Sequence, residues 1–341
     1  MPTKNEEISA RIATLLKDKK LGLELGSNVD LLPVFISTSI PQLDEIMGGG
    51  VPVNKFTMFY GESSHGKTFL SQLIAASFQS QNKLVALLDA EQSYDPRWWA
   101  TTKVDVDNLL VQQPVSGEDA VMKVEALIGK VELIIVDSLA DFVPLSETEL
   151  DITKKATMGR QAQLISTFYR KCLSKIKNSN TSIITINQVR DNFSNPYVVN
   201  LPGGRAQRFA SHIMLEIARE SWIKNSDGAK TGFMMRIRNT KNKLGTPERE
   251  ISLPISFEGK FDYVTLLVSD GIDRGLIVNS GAYYRIPGEL VIDTIPDGYR
   301  YKVMEDTGQH QIMGREGLHK LLEVNEHAMK VLELMVYEEK N

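Results

Sequence analysis

Short apolar runs, mostly β-branched, alternate along this chain with longer segments of helical periodicity. Four runs are almost continuously apolar, as strands buried on both faces are, and the chain between them is long enough for crossover helices. They are FTMFY (56–60), LVALLD (84–89), LIIVD (133–137) and SIITIN (182–187). The pattern predicts an α/β fold with a mainly parallel, twisted sheet that is flanked by helices.

Three later runs lie closer together and predict a different connection. They are HIMLEI (212–217), FMMRIRN (233–239) and ISLPISF (251–257). Their spacing suits hairpins rather than crossover helices, so we expect an antiparallel extension of the sheet.

The two ends of the chain differ from this central pattern. Near the start, Ile8, Ile12, Leu15 and Leu16 form one apolar helical stripe with charges opposite. Two interpretations stay open, a helix folded on its own domain and an arm that docks on a neighbouring subunit. After Phe261, turns become frequent and a helical segment ends the chain, which predicts a small C-terminal domain.

Composition excludes several classes of function. The net charge of −4 argues against general electrostatic adhesion to nucleic acid, so DNA binding would need local basic clusters or their repetition in an assembly. Cys172 is the single cysteine, which excludes an intrachain disulfide and a cysteine metal site. We find no apolar run of ~18–20 residues and no signal-peptide core, and therefore expect a cytoplasmic protein without membrane contact.

The strongest chemical signal is a glycine-rich loop between a strand and a helix. The strand 56–60 runs into GESSHGKT (61–68), and a helical segment follows. Gly61 and Gly66 permit a backbone curl whose N–H groups converge on phosphate oxygens, and Lys67 adds a positive charge. The Thr68 hydroxyl suits Mg²⁺. The motif predicts binding of ATP and Mg²⁺ through the loop residues Gly61, Glu62, Ser63, Ser64, His65, Gly66, Lys67, Thr68 and Phe69.

Carboxylates at two other strand ends complete the predicted site. Asp137 follows a buried strand and suits the magnesium ion. Glu91 lies just past another strand, at the carboxyl edge where open α/β sheets place ligands, and could deprotonate the water that attacks the γ-phosphate. Trp98 is either a core aromatic or a surface on which adenine stacks.

These residues together resemble the bacterial and phage RecA-type homologous recombinase family. The likeness covers most of the chain and rests on several long motifs. The motifs are FISTSIPQLDEIMGGGVP (35–52), DAEQSYDP (89–96), DVDNLLVQQPVSGEDA (105–120), LIIVDSLADFVP (133–144), SIITINQVR (182–190), NPYVVNLPGGRAQRFAS (195–211) and RNTKNKLG (238–245).

The resemblance implies a role for each residue of the nucleotide site. Glu91 matches the glutamate that activates water, Asp95 an aspartate that contacts adenine, and Trp98 replaces the usual adenine-stacking tyrosine. Gln188 matches the residue that senses the γ-phosphate. The residues that match the ATP–Mg²⁺ motifs are Lys67, Thr68, Asp137 and Ser138. The lysines that match those reaching across a subunit interface to the neighbour's ATP are Lys241 and Lys243.

The resemblance also implies two DNA-binding loops. The segment 147–161 matches the first loop and 189–205 the second. Basic side chains there can neutralise phosphates, apolar ones can stack on bases, and a diglycine lets backbone amides approach a phosphate closely. The candidate DNA contacts are Met158, Gly159, Arg160, Arg190, Phe193, Tyr197, Gly203, Gly204, Arg205 and Arg208.

A family member of this kind is a DNA-dependent ATPase that hydrolyses ATP to ADP and phosphate. It would form a helical filament on single-stranded DNA and pair it with homologous duplex DNA, aided by single-strand-binding and loader proteins. It would act in the bacterial nucleoid, or in the host cytoplasm if viral. The alternatives are a hexameric helicase of related fold and a non-catalytic recombination mediator.

The resemblance predicts three parts of the chain and leaves three departures. The parts are an N-terminal helical oligomerisation arm (1–33), an ATPase core with two DNA-binding loops (34–260) and a small C-terminal α/β domain (261–341). The departures are His65 inside the phosphate loop, Gln163 where an arginine is usual, and the segment 291–313, which has no clear match.

Overall fold

The computed structural model describes residues 4–23, 25, 32–145, 159–189, 201–224, 227–259 and 261–337. The chain divides into two compact units, Met1–Val34 and Phe35–Asn341. In the first unit, α1 (Lys4–Lys17) is the helix that the apolar stripe predicts, with Ile8, Ile12 and Leu15 exposed.

The second unit contains a large sheet that holds the candidate site. A ribbon of β1 (Phe35–Ile36) and β2 (Val51–Pro52) precedes it. The large sheet consists of β3 (Phe56–Gly61), β4 (Val85–Asp89), β5 (Leu109–Gln112), β6 (Leu133–Asp137), β7 (Ser182–Gln188), β8 (Ile213–Lys224), β9 (Lys230–Asn242) and β10 (Arg249–Ser256). Their order is β10-β9-β8-β3-β7-β6-β4-β5.

The pairing of these strands confirms the predicted architecture. From β8 to β5 all neighbours are parallel, whereas β9 and β10 add antiparallel pairs at one edge. Successive residues of the central strands face opposite sides of the sheet. Leu87 and Ile135 join one apolar cluster, and Leu88 and Val136 join the other. Burial on both faces explains why these strands read as continuous apolar runs.

Helices cover both faces of this sheet. They are α2 (Pro41–Met47), α3 (Lys67–Ser80), α4 (Pro96–Thr101), α5 (Gly117–Leu127), α6 (Arg160–Ile176) and α7 (Ala206–Ala210). In α6, Cys172 is fully buried beside Phe168 and Tyr169, and burial raises the pKa of its thiol to about 12. The cysteine therefore fills space in the core.

The C-terminal part of the second unit has its own apolar cluster around Leu267, Leu321 and Leu332. Its elements are α8 (Tyr263–Asp273), β11 (Val278–Ser280), β12 (Tyr283–Ile286), β13 (Tyr301–Val303), β14 (His310–Met313), α9 (Arg315–Val324) and α10 (Glu326–Tyr337). The strands form an antiparallel sheet in the order β11-β12-β14-β13. This part belongs to the same compact unit as the large sheet, and the division at residue 260 stays a prediction.

In the part of the chain that the structure describes, none of the helices combines the length and the apolarity that a membrane crossing requires.

Candidate nucleotide-binding site

The glycine-rich loop lies between β3 and α3, and packing as well as ligand geometry requires its glycines. A Cβ on Gly61 would lie 2.0 Å from the carbonyl oxygen of Ile217, so only glycine lets β3 run this close to β8. Gly66 has φ +93°, and a Cβ there would lie 2.8 Å from the sulfur of Met235. The loop thus keeps a left-handed backbone at the start of α3, where helix N–H groups favour an anion.

Lys67 and Thr68 are the first two residues of α3, and both line one surface cleft. The ammonium group of Lys67 donates to the carbonyl oxygens of Gly61 at 3.1 Å and Glu62 at 2.6 Å, and burial lowers its pKa. The hydroxyl of Thr68 donates to Oδ2 of Asp137 at 2.6 Å. A hydroxyl and a carboxylate this close are oxygen donors that suit Mg²⁺, which commonly takes one or two protein ligands and completes its shell with phosphates and water.

The oxygen ligands at this position suit a Mg²⁺ ion that is bound jointly by the protein and a nucleotide, rather than one bound by protein side chains alone. Across the described residues, no group of three or more His, Cys, Asp and Glu side chains could hold a metal ion. Burial raises the pKa of Asp137 to about 7, and the nearby Glu91 carboxylate adds to the effect. A cation beside Asp137 would favour its charged form, so these residues fit a Mg²⁺ ion that arrives with a nucleotide.

Backbone contacts fix Glu91 beside this pair. The main-chain carbonyl oxygen of Asp137 accepts hydrogen bonds from the amides of Ala90 at 2.7 Å and Glu91 at 3.1 Å. The peptide bond between Asp137 and Ser138 is cis. Burial raises the pKa of Glu91, Asp141 raises it further, and Lys67 opposes the shift. Glu91 therefore lies at the cleft as a carboxylate with increased basicity, a property that suits a general base.

The cleft has a volume of about 390 Å³. Its wall contains Ser63, Ser64, Gly66, Lys67, Thr68, Phe69, Gln72, Glu91, Ser93, Trp98, Trp99, Asp137, Gln188, Phe233, Ile255, Ser256 and Phe257. Trp98 and Phe257 leave 41% and 49% of their surface exposed, so both can offer a ring face to a ligand, whereas Trp99 belongs to the core. Sequence reasoning missed Phe257 and Phe233, because strands distant along the chain bring them here.

Five predicted nucleotide contacts do not line this cleft, namely Gly61, Glu62, His65, Asp95 and Ser138. Asp95 caps α4 by accepting from the Arg97 amide, and its carboxylate pairs with the Arg97 guanidinium at 2.8 Å. The Ser138 hydroxyl donates to Asp141 at 2.5 Å. The His65 ring lies 3.6 Å from the Glu62 carboxylate, and burial lowers its pKa. The roles of all five residues toward a nucleotide stay predictions.

The last residue of β7 connects the cleft to the second candidate DNA loop. Gln188 lines the cleft and lies opposite Gly61 in the register of β3 and β7. The neighbouring Asn187 is buried, and its amide donates to Gln207 Oε1 at 2.7 Å and to the Pro202 carbonyl at 3.0 Å. The Gln207 amide in turn donates to Pro202 at 2.7 Å and Gly204 at 3.1 Å. Residues on both sides of 190–200 are therefore tied together beside the nucleotide cleft.

Several candidate DNA contacts meet at the start of α6. Gly159 and Arg160 begin this helix. Gly203 and Gly204 pack against it, and a Cβ on Gly203 would lie 2.3 Å from Cδ1 of Ile165. Packing against Ile165 thus gives an additional reason for glycine at position 203, and the predicted approach of the diglycine amides to a phosphate stays a prediction.

The remaining DNA candidates divide into two groups. Arg205 directly precedes α7, and Arg208 lies within it. The candidates that lie outside the described residues are Met158, Arg190, Phe193 and Tyr197.

Lys241 and Lys243 lie at the opposite edge of the sheet. Lys241 pairs with Met214, which is level with Met58, about 10 Å along β3 from Gly61. The ammonium group of Lys241 donates to the Ser211 carbonyl at 2.9 Å, and that of Lys243 to Phe209 at 2.7 Å. Burial and the neighbouring Lys243 charge lower the pKa of Lys241 to about 8. Neither lysine lines the cleft of its own chain.

Comparison with known proteins identifies the family. The RecA N-terminal domain family matches residues 16–261. The chain belongs to the RecA family. It is 36% identical to Protein RecA of Aquifex pyrophilus over 256 residues, which cover 73% of this chain and 72% of that protein. The resemblance and the fold are thus confirmed, and the part matched to the RecA family contains every residue that lines the cleft.

Proposed function

We propose that this RecA-family protein is an ATP-dependent recombinase that forms filaments on single-stranded DNA and pairs it with homologous duplex DNA. The observation that carries the proposal is the position of Gln188. This residue lies in the wall of the cleft and ends the strand that leads into the candidate DNA loop. A nucleotide in the cleft can therefore act on the loop through one side chain.

The cleft residues divide the chemistry of ATP hydrolysis among them. Lys67 neutralises charge on the β- and γ-phosphates, and the loop amides hold the phosphate oxygens. Thr68 and Asp137 would hold Mg²⁺, and the bound ion would neutralise negative charge on the phosphates. Glu91 accepts a proton from the attacking water, a role favoured by its raised pKa.

Release of the γ-phosphate would switch DNA affinity. The Gln188 amide contacts the γ-phosphate while ATP is bound and loses that contact after hydrolysis. Because Asn187 joins Gln207 and Pro202, a shift at the end of β7 reaches both ends of the second DNA loop. An ordered loop binds DNA and a released loop lets it go, which is an order–disorder switch driven by one phosphate.

Three features support self-association. Lys241 and Lys243 lie at the sheet edge away from their own cleft, where they can reach the nucleotide of a neighbouring subunit. The edge strand β5 exposes half of Leu110, and α1 exposes an apolar stripe. A filament would also repeat a few basic contacts per subunit along DNA, which reconciles DNA binding with a net charge of −4.

The test is strand exchange between circular single-stranded DNA and homologous linear duplex, with ATP and with a non-hydrolysable analogue. We expect joint molecules with both nucleotides, ATP hydrolysis stimulated by single-stranded DNA, and filaments in electron micrographs. The Lys67→Ala variant should lose all three. Equal ATP turnover with and without single-stranded DNA, in a protein that stays monomeric, would refute the proposal. Closed rings that unwind forked duplexes would indicate a helicase instead.

A further inference from the structure

A buried amide in the nucleotide cleft has no role in the chemistry described above. Gln72 is fully buried, and neither its Nε2 nor its Oε1 has a hydrogen-bond partner. It nevertheless belongs to the wall of the cleft. Buried side-chain amides almost always have partners in folded proteins, so an amide with two unpaired atoms beside a ligand cleft points to a partner supplied by the ligand.

The position of Gln72 on α3 selects the part of the ligand that it meets. Gln72 follows Thr68 by one helical turn and lies on the same face of α3, about 6 Å further from the loop. Phosphates bound by the loop would leave the nucleoside to the rest of the cleft. The cleft wall also contains Trp98 of α4, whose exposed ring suits a nucleobase. Gln72 therefore meets the nucleoside half of the ligand.

The hydrogen-bonding groups of the Gln72 amide favour the base over the ribose as its partner in the nucleoside. A glutamine side chain offers one acceptor oxygen and a donor NH₂ group. The edge of adenine offers the matching groups, an amino donor at N6 and an acceptor ring nitrogen beside it. A glutamine side chain can form hydrogen bonds with both at once. Building on the proposed ATP site, we propose that Gln72 pairs with the adenine edge and sets the base specificity of the cleft.

The test compares ATP with purine riboside triphosphate, which lacks only the 6-amino group. The Gln72→Met variant keeps the side-chain length and removes both polar atoms. We expect the wild type to bind ATP about tenfold more tightly than the analogue, since one hydrogen bond is lost and its buried acceptor is left unpaired. The variant should bind ATP about tenfold more weakly than the wild type and should not distinguish the two ligands. Equilibrium titration with each nucleotide measures both effects.

Two controls separate recognition from folding. Gln309→Met makes the same substitution outside the cleft wall and should leave both affinities unchanged. The melting temperature of Gln72→Met without nucleotide should equal or exceed that of the wild type, because an unpaired buried amide is removed. A lower melting temperature with equal loss of both ligands would mean a structural role and overturn the proposal.

The remaining outcomes also decide the question. If Gln72→Met still distinguishes ATP from the analogue as the wild type does, the proposal is overturned. It is also overturned if the substitution weakens binding of ATP but not of dATP, because the amide would then contact the ribose 2′-hydroxyl. A wild type that binds both triphosphates equally would refute base recognition and leave the proposed recombinase function intact. A wild type that binds no nucleoside triphosphate would overturn both.

Discussion

Replacing Asn187 with Ala should separate the nucleotide cleft from the second candidate DNA loop. Its buried side chain donates to Gln207 Oε1 at 2.7 Å and to the Pro202 carbonyl at 3.0 Å, and it accepts from the Gln188 amide at 2.9 Å. One side chain thus joins the end of β7 to Pro202 near the C-terminal end of the loop and to Gln207 just after it.

The magnitude follows from the groups that the substitution leaves behind. The Pro202 carbonyl keeps the Gln207 amide as a donor, but the buried Gln207 Oε1 loses its partner. An unpaired buried acceptor costs about 1–3 kcal/mol, and the bond to the Gln188 amide is lost as well. We therefore expect Asn187→Ala to lower the free energy of unfolding by about 2–4 kcal/mol.

Urea unfolding of a double-mutant cycle with Gln207→Ala isolates the interaction. The two substitutions should be non-additive by at least ~1 kcal/mol, whereas Asn108→Ala, at an exposed asparagine, should change stability by less than ~0.5 kcal/mol. In ligand binding, Asn187→Ala should retain ATP affinity while ATP no longer increases DNA affinity. Additive stability effects, or an unchanged response of DNA binding to ATP, would refute the reasoning.

Three further predictions address the other parts of the site and fold. Glu91→Gln should retain ATP binding but lower kcat for ATP hydrolysis, measured as phosphate release, by about 10²-fold or more. Turnover close to that of the wild type would show that Glu91 is not the general base. Gly203→Ala should lower the unfolding free energy by about 2–4 kcal/mol, because φ at Gly203 is +93° and the new Cβ would collide with Ile165. Adding Ile165→Val should restore part of the lost stability. A Gly203→Ala variant as stable as the wild type would contradict the packing argument. A hydrogen bond with Asp262 raises the pKa of His319 in the folded protein. Protonated His319 therefore stabilises the fold fully below pH ~6.5, and this stabilisation is lost as pH rises through the folded-state pKa. The His319→Gln variant should lack this pH dependence of the unfolding free energy, and an unchanged dependence would contradict the reasoning.

Local patterns predicted the candidate phosphate site because its candidate residues are close in sequence or lie at the ends of strands. The loop supplies Lys67 and Thr68 directly, and apolar runs place Asp137 and Glu91 at the same sheet edge. The parallel core was predictable for a related reason, since burial on both faces leaves a continuous apolar run.

Tertiary packing determines what the sequence did not reveal. Phe257 directly follows β10 and lines the cleft, and no local pattern indicates that it would do so. Sequence analysis did not single out Gln72, because only the folded core shows that its buried amide lacks a partner. The packing of Gly203 against Ile165 was also not predictable from local sequence, because Ile165 lies 38 residues earlier in the chain. The partner of Asp95 is an arginine two residues away, which its family role did not suggest.

The carbonyl of Asp137 that holds the amides of Ala90 and Glu91 belongs to the main chain, so every amino acid at position 137 would supply it. Evolution or engineering can therefore change the side chain of Asp137, the candidate magnesium ligand, without moving Glu91, the candidate general base. The two proposed functions can be tested one at a time, and a variant that lacks the Asp137 carboxylate should still hold Glu91 in place.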